Sequence, residues 1–195
     1  KKVSEEISEY LVAEYLTSAE SAARIPEARW EDLTSSLGRQ LPETGREQLA
    51  AAMRQAFTSD EDVLSATQPD AARKLSLALN NLSASEARAF AAAWVQATAV
   101  EGDTPSLNSI GAIAEASGGD EAVVALLDLL EPQWEQEYAA GHMAWEDCAD
   151  AACALYKAGE KARGRDWGRK AYNLAFGSPE ARASADLETL ASIAL

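Results

Sequence analysis

Apolar side chains along the chain recur mostly at spacings of three and four residues, the period of an amphipathic α-helix. Leu49, Met53 and Phe57 follow one another at such a spacing. No segment alternates apolar and polar residues with the period of two that a half-buried strand requires. Prolines and short polar side chains interrupt the pattern at points where helices commonly begin. We therefore predict an all-α fold with about ten helices.

Short polar turns separate the predicted helices. The helices are expected at residues 3–23, 27–40, 48–57, 61–66, 69–82, 86–99, 107–116 and 121–141, as two helices within 145–174, and at 180–195. Short connections place consecutive helices antiparallel. We therefore expect stacked antiparallel helical hairpins, as in an α-solenoid, or a compact multi-helix bundle of the same elements. The 121–130 stretch is apolar on most sides, which predicts burial all round.

Residues 101–105 form the clearest interruption of the helical pattern, and the charge of the chain also changes there. A chain of 195 residues accommodates one large domain or two small ones. We predict an N-terminal helical half at 1–100 and a C-terminal helical half at 101–195, either as two domains or as one continuous domain.

The segment 145–174 reads as two helices joined at Gly159, which can adopt the positive φ that ends a helix. Ala152, Gly164 and Ala171 are small enough for two helices to cross closely at these positions. Larger side chains fill the outer contacts of the predicted pair. They are Leu155, Tyr156, Trp167 and Leu174.

This hairpin resembles one degenerate tetratricopeptide (TPR) repeat at about residues 145–176. The resemblance rests on Tyr156-Lys157, Gly159-Glu160, Gly164, Trp167, Lys170-Ala171 and Leu174. Cys148 and Ala151 stand where the family usually has Trp and Leu, and Gly164 stands where it prefers Ala. The resemblance implies antiparallel helices packed through small side chains. It also implies recognition of a partner peptide through a basic clamp.

The formal net charge is −15, and its distribution is uneven. Residues 101–150 contain 12 acidic and no basic side chains, whereas 157–170 contain six basic ones. This acidity disfavours direct binding of nucleic acid and of anionic membranes. No apolar run reaches the ~20 residues of a membrane span. We expect a soluble protein without membrane insertion, in the cytoplasm or in a periplasmic or other extracytoplasmic space. Because the sequence begins with Lys1, we expect a processed or partial chain.

The reactive side chains are too few and too scattered for a recognisable reaction centre. His142 is the only histidine, and Cys148 and Cys153 are the only cysteines. Structural zinc sites need about four nitrogen or sulfur ligands, which this chain does not bring together. The HExxH, Walker and GxGxxG motifs are absent. We therefore predict a non-enzymatic protein without a metal or cofactor.

The basic cluster beside aromatic residues is the predicted partner-binding feature. Its alternative role is ion pairing with the acidic segment 131–150. The candidate binding residues are Tyr156, Lys157, Lys161, Arg165, Trp167, Arg169, Lys170 and Asn173. We predict a helical scaffold that binds a protein or peptide partner. The alternative prediction is an acidic mimic of nucleic acid that inhibits a basic DNA- or RNA-binding protein. The sequence defines neither the partner nor the oligomeric state.

Overall fold

The computed structural model describes residues 27–100 and 106–177, and the regular structure within these two ranges is entirely α-helical. The predicted all-α class is thereby confirmed for this part of the chain. The nine described helices are α1 (Glu27–Gln40), α2 (Glu43–Thr58), α3 (Glu61–Ser65), α4 (Pro69–Asn80), α5 (Ala84–Val100), α6 (Leu107–Ala116), α7 (Asp120–Ala140), α8 (Trp145–Lys157) and α9 (Lys161–Phe176). The helices predicted at 3–23 and 180–195, and the predicted domain boundary after residue 100, involve residues outside the described ranges.

Helix beginnings follow local signals in the sequence. Pro69 is the first residue of α4, where the missing N–H of proline costs no helical hydrogen bond. The Asp60 carboxylate accepts hydrogen bonds from two backbone N–H groups at the start of α3. Pro42 precedes α2, which begins at Glu43 rather than at the predicted Gln48. The φ of Pro42, −63°, prepares the chain for this earlier start.

The described helices up to Ala122 form one compact unit. Helices α4 and α5 form its centre: α1 packs on α4, α2 packs on α5, and α6 contacts both. Consecutive pairing therefore accounts for only part of this unit. The largest buried side chains of the unit include Met53, Leu75, Leu79, Phe90, Trp94 and Ile113. At roughly 25 cal/mol per Å² of apolar surface, such side chains supply most of the driving force for folding.

Helix α1 approaches the end of α4 closely at Gly38. A Cβ atom at this position would lie only 2.6 Å from the backbone oxygen of Asn81. The Asn81 side-chain amide also donates to the Thr34 hydroxyl at 3.2 Å. This junction therefore requires a residue without a side chain in α1 and an amide donor after α4.

The described residues from Val123 onward form a second compact unit that contains most of α7, together with α8 and α9. Helix α7 continues through Pro132 without interruption. Leu126, Leu127 and Leu130 are buried, but Leu129 is 41% exposed. The prediction of burial on every side of this segment was therefore wrong, because one side of α7 faces solvent.

Candidate functional site

Helices α8 and α9 form the predicted hairpin, and their contact surface is built from small residues. Ala152, Gly164 and Ala171 are all buried. A Cβ at Gly164 would lie 3.1 Å from the Ala152 backbone oxygen and 2.8 Å from Cδ2 of Tyr156. Neighbouring helices approach this closely only where side chains are nearly absent, so the predicted role of Ala152 and Gly164 is confirmed.

The turn between α8 and α9 is closed by Gly159, whose φ is +84°. The Glu160 N–H donates to the Leu155 carbonyl at 2.9 Å, and the Gly159 N–H donates to the Tyr156 carbonyl at 3.1 Å. These two bonds define a Schellman motif, which ends a helix and satisfies its last carbonyls. The chain therefore reverses within a few residues, and α9 is placed directly against α8.

Another side of α9 faces α7 through two groups of ion pairs. Arg163 binds Asp128, with Nη1 2.7 Å from Oδ1, and also binds Glu131. One heptad further along both helices, Lys170 binds Glu135. Because the order of these pairs is the same along both helices, α7 and α9 run parallel. The acidic segment thus neutralises two of the six clustered bases.

Aromatic rings lie between these ion pairs. Trp167 is 1% exposed, and its indole N–H donates to Oε1 of Glu131 at 3.0 Å. Its ring meets Trp134 edge to face, with centroids 5.8 Å apart. The Lys170 ammonium lies 3.8 Å from the centroid of Trp167 and 5.0 Å from that of Tyr138. Cation–π attraction therefore adds to the ion pairs in holding α9 against α7.

Glu131 connects the ion pairs to the aromatic rings. Burial raises the pKa of the Glu131 carboxyl, but hydrogen bonds from Arg163 and Trp167 outweigh burial, so that the pKa lies below its ordinary value. The carboxylate is thus stabilised in its charged form by the residues that it joins. This arrangement explains how a partly buried acid is accommodated beside Trp167.

The solvent-facing side of α9 carries the remaining bases of this helix. Lys161, Arg165 and Arg169 are exposed there, and Tyr172 is 58% exposed. At 100° per residue, these residues and the exposed Asn173 fall within an arc of about 120°. We call Lys161, Arg165, Arg169, Tyr172 and Asn173 the outer face of α9.

The outer-face cations make only local contacts among the described residues. The Arg165 Nε–H donates to the Lys161 carbonyl at 3.3 Å, within the same helix. Arg169 lies 3.4 Å from Asp166, and both of these side chains are largely exposed. Surface pairs of this kind contribute little free energy, so they oppose the binding of a competing carboxylate only weakly.

The predicted binding residues divide between the two sides of α9 and the end of α8. Trp167 and Lys170 lie on the side that faces α7, where burial removes the Trp167 ring from solvent. Tyr156 is half-buried over Gly164, and Lys157 is exposed at the end of α8. Fewer of the predicted residues are therefore exposed to a partner than the sequence indicated. The exposed residues of α9 also include Tyr172.

Sequence reasoning did not identify Arg163 and Glu131 as the centre of the α7–α9 contact. A signal was nevertheless present. Asp128 and Glu135 are one heptad apart, as are Arg163 and Lys170, so each pair lies on one side of a helix. Two such pairs of opposite charge match across neighbouring helices of either relative direction, and the observed pairs show the parallel one.

The reactive side chains His142 and Cys148 have different surroundings in the described part of the chain. His142 is exposed, and its Nδ1 lies 3.1 Å from Oε2 of Glu137. Burial, aided by the charge of Asp147, raises the pKa of the Cys148 thiol to about 11. The Asp147 carboxylate caps α8 by accepting the Ala144 N–H at 2.8 Å. Across residues 27–100 and 106–177, no group of three or more His, Cys, Asp or Glu side chains is placed to hold a metal ion.

Comparison with known proteins identifies no relative. No protein-family model, no curated protein and no solved structure matches the chain. None of the helices in the described ranges combines the length and the apolar character needed to cross a membrane.

Proposed function

We propose that the chain is a non-enzymatic helical scaffold, and that the outer face of α9 binds a segment of a partner protein. The observation that carries the proposal is the division of the basic cluster. Arg163 and Lys170 are bound by acids of α7, whereas Lys161, Arg165 and Arg169 are directed to solvent. A protein of net charge −15 that exposes several cations on one helix side offers a local surface for a partner's carboxylates.

We also propose that the α8–α9 hairpin is a divergent TPR-like unit. The seam of Ala152, Gly164 and Ala171 and the turn at Gly159 support this proposal. A hairpin closed through small residues is rigid, and a rigid support lowers the entropic cost of binding. This seam packs the backbone of α9 against α8, so the Cα atoms of the outer-face residues have a fixed spacing.

The alternative function, mimicry of nucleic acid by an acidic surface, has less support. Asp128, Glu131 and Glu135 of the acid-rich segment already face cations of α9. Glu121 likewise pairs with Arg88 at 2.9 Å. The acidic side chains left unpaired by these contacts, such as Glu146, are fewer than the sequence count indicates.

Site-specific photo-crosslinking tests the proposed scaffold function. A photoreactive phenylalanine analogue replaces Tyr172 in the full chain, and adducts formed in native lysate are identified by mass spectrometry. We expect defined protein adducts that disappear when Arg165→Glu and Arg169→Glu are combined. The matched control combines Arg29→Glu and Arg39→Glu, which reverse two exposed cations on α1 and should leave the adducts intact. Adducts that are equally abundant in both variants would contradict the proposal.

A further inference from the structure

Resting on the proposed scaffold function, we propose that the outer face of α9 selects an extended acidic segment whose carboxylates stand on alternate residues, with an apolar side chain at one end. The proposal concerns the spacing of charges as well as their sign. It identifies the partner by the geometry of three cations and one exposed aromatic ring.

The spacing of the cations matches an extended chain. Lys161, Arg165 and Arg169 are four residues apart, so successive side chains are separated by about 6 Å along the helix, and the three by about 12 Å. Alternate residues of an extended segment point to the same side at intervals of about 6.7 Å, so three of them span about 13 Å. The flexible Lys and Arg side chains absorb the remaining difference.

A helical partner fits the same row less well. Rows of side chains four residues apart are inclined to the helix axis, and two packed helices therefore cross at an angle. Contact between crossed helices is concentrated near the crossing point, which places the outermost cations of the row away from the partner. An extended segment follows the row itself and reaches all three cations.

The C-terminal end of the row offers an apolar contact. The Tyr172 ring is 58% exposed, and its centroid lies 4.7 Å from that of Phe176. Tyr172 stands between Lys161 and Arg165 in angle around the helix, and about one turn beyond Arg169 along it. A segment bound along the cations therefore ends between Tyr172 and Asn173, and the Tyr172 ring favours an apolar or aromatic residue there.

The charge of the whole chain favours a short acidic segment over a long polyanion. Charges beyond about 8 Å are largely screened at physiological ionic strength, so a short segment responds mainly to the nearby cations. A long nucleic acid extends past the outer face and meets a chain whose net charge is −15. Local attraction is thus retained for a peptide and offset for a polynucleotide.

Two fluorescein-labelled peptides of identical composition test the spacing. In one, three Asp residues alternate with Ser and a Phe follows; in the other, the Asp residues are contiguous. Fluorescence anisotropy with the full chain at about 50 mM and about 300 mM salt measures both affinities. We expect the alternating peptide to bind about tenfold more tightly, with the preference reduced at the higher salt.

Charge variants locate the binding surface. Combining Arg165→Glu with Arg169→Glu should weaken the alternating peptide at least about tenfold, and the neutral Gln pair should give an intermediate loss. Combining Arg29→Glu with Arg39→Glu should change affinity less than about twofold. Circular dichroism of each variant confirms that the helices remain folded. Weaker binding of the alternating peptide to Tyr172→Ala than to the unsubstituted chain would support the aromatic contact.

Several outcomes would overturn the proposal. Equal affinity for the two peptides would mean that charge alone is recognised. Tighter binding of a single-stranded DNA of equal charge would assign the face to nucleic acid, and self-association lost in the Arg165→Glu/Arg169→Glu variant would assign it to a second copy of the chain. If neither peptide binds while charge-dependent crosslinking at Tyr172 persists, the scaffold function stands and this inference fails. If the peptide binds but no charge-dependent adduct forms, the scaffold function fails.

Discussion

Replacing Gly164 by alanine tests how closely α8 and α9 pack. A Cβ at this position would lie 2.8 Å from Cδ2 of Tyr156 and 3.1 Å from the Ala152 backbone oxygen. Carbon atoms in favourable contact are about 3.5–4.0 Å apart, so the added methyl group overlaps the Tyr156 ring by at least about 0.7 Å. The backbone oxygen of Ala152 cannot move without shifting α8 itself.

Two opposing terms decide the sign of the change in stability. Alanine is favoured over glycine by about 1 kcal/mol in the interior of a helix. Overpacking a close contact costs about 1–3 kcal/mol. Because one contact is with backbone and the other is with a half-buried ring, we expect overpacking to prevail. The net loss for Gly164→Ala should be about 1 kcal/mol.

Gly111→Ala provides the matched control. Gly111 also lies inside a helix, α6, but a Cβ there has no neighbouring atom within 4 Å. The helical preference of alanine therefore acts without an opposing contact, and this variant should gain about 0.5–1 kcal/mol. The two substitutions are chemically identical, so a difference between their changes in the free energy of unfolding measures the effect of the close contacts at Gly164.

Urea unfolding followed by circular dichroism measures both variants, and hydrogen exchange shows whether the loss lies in α8 and α9. In a Tyr156→Ala background the ring contact is gone, and the cost of Gly164→Ala should fall by about 1 kcal/mol. If Gly164→Ala stabilises the chain as much as Gly111→Ala does, and if no coupling to Tyr156 is found, the proposed close packing is refuted.

Three other predictions concern separate parts of the chain. Gly38→Ala should lower the free energy of unfolding by about 2–3 kcal/mol, because its Cβ would lie 2.6 Å from the Asn81 backbone oxygen. An unchanged urea midpoint would show that α1 shifts away from Asn81 without loss of stability. Because folding lowers the pKa of Glu131, its carboxylate stabilises the folded chain at pH values above its ordinary pKa of 4.5. This stabilisation is lost as the pH falls through the pKa of the folded state. Unfolding measured between about pH 5 and pH 3 should therefore be less pH-dependent in Glu131→Gln, and equal dependence would argue against the Glu131 contacts. Near pH 8, thiol reagents should label only Cys153 in the native protein, because burial raises the pKa of Cys148 to about 11. Rapid labelling of Cys148 in the native Cys153→Ser variant would contradict this prediction.

The hairpin could be predicted from sequence because its signals are local. Gly159 marks the turn, and Ala152, Gly164 and Ala171 mark the seam at helical spacing. Each signal acts within one or two turns of helix, so a single sequence contains the necessary information. Helix beginnings at proline are predictable for the same reason, although α2 starts earlier than its apolar pattern suggests.

The contacts between distant helices could not be predicted in the same way. The packing of α1 on α4, and of α2 on α5, joins elements that are not consecutive. Apolar periodicity identifies which side of a helix is buried, but it does not identify the helix that covers it. Gly38 illustrates the limit, because its need for a missing side chain arises only from the backbone of Asn81.

Trp167 could have been assigned to the interior. It lies between Gly164 and Ala171 at spacings of three and four residues, so it falls within about 60° of them around α9 and on the buried half of the helix. Its basic neighbours in sequence suggested a binding surface, whereas helical geometry directs those neighbours elsewhere. Periodicity is the stronger criterion here, because it follows from backbone geometry and not from composition.

The same geometry divides the basic cluster into two sets with different consequences. Arg163 and Lys170 are one heptad apart and face α7, where their charges meet carboxylates and aromatic rings. Lys161, Arg165 and Arg169 are four residues apart and face solvent. Replacing a base of the first set leaves carboxylates without their partners and lowers stability, whereas replacing one of the second set changes mainly the local potential. Because both sets lie on one short helix, the cations that stabilise the fold and those of the proposed binding surface are separated by angle around α9, not by distance along the chain.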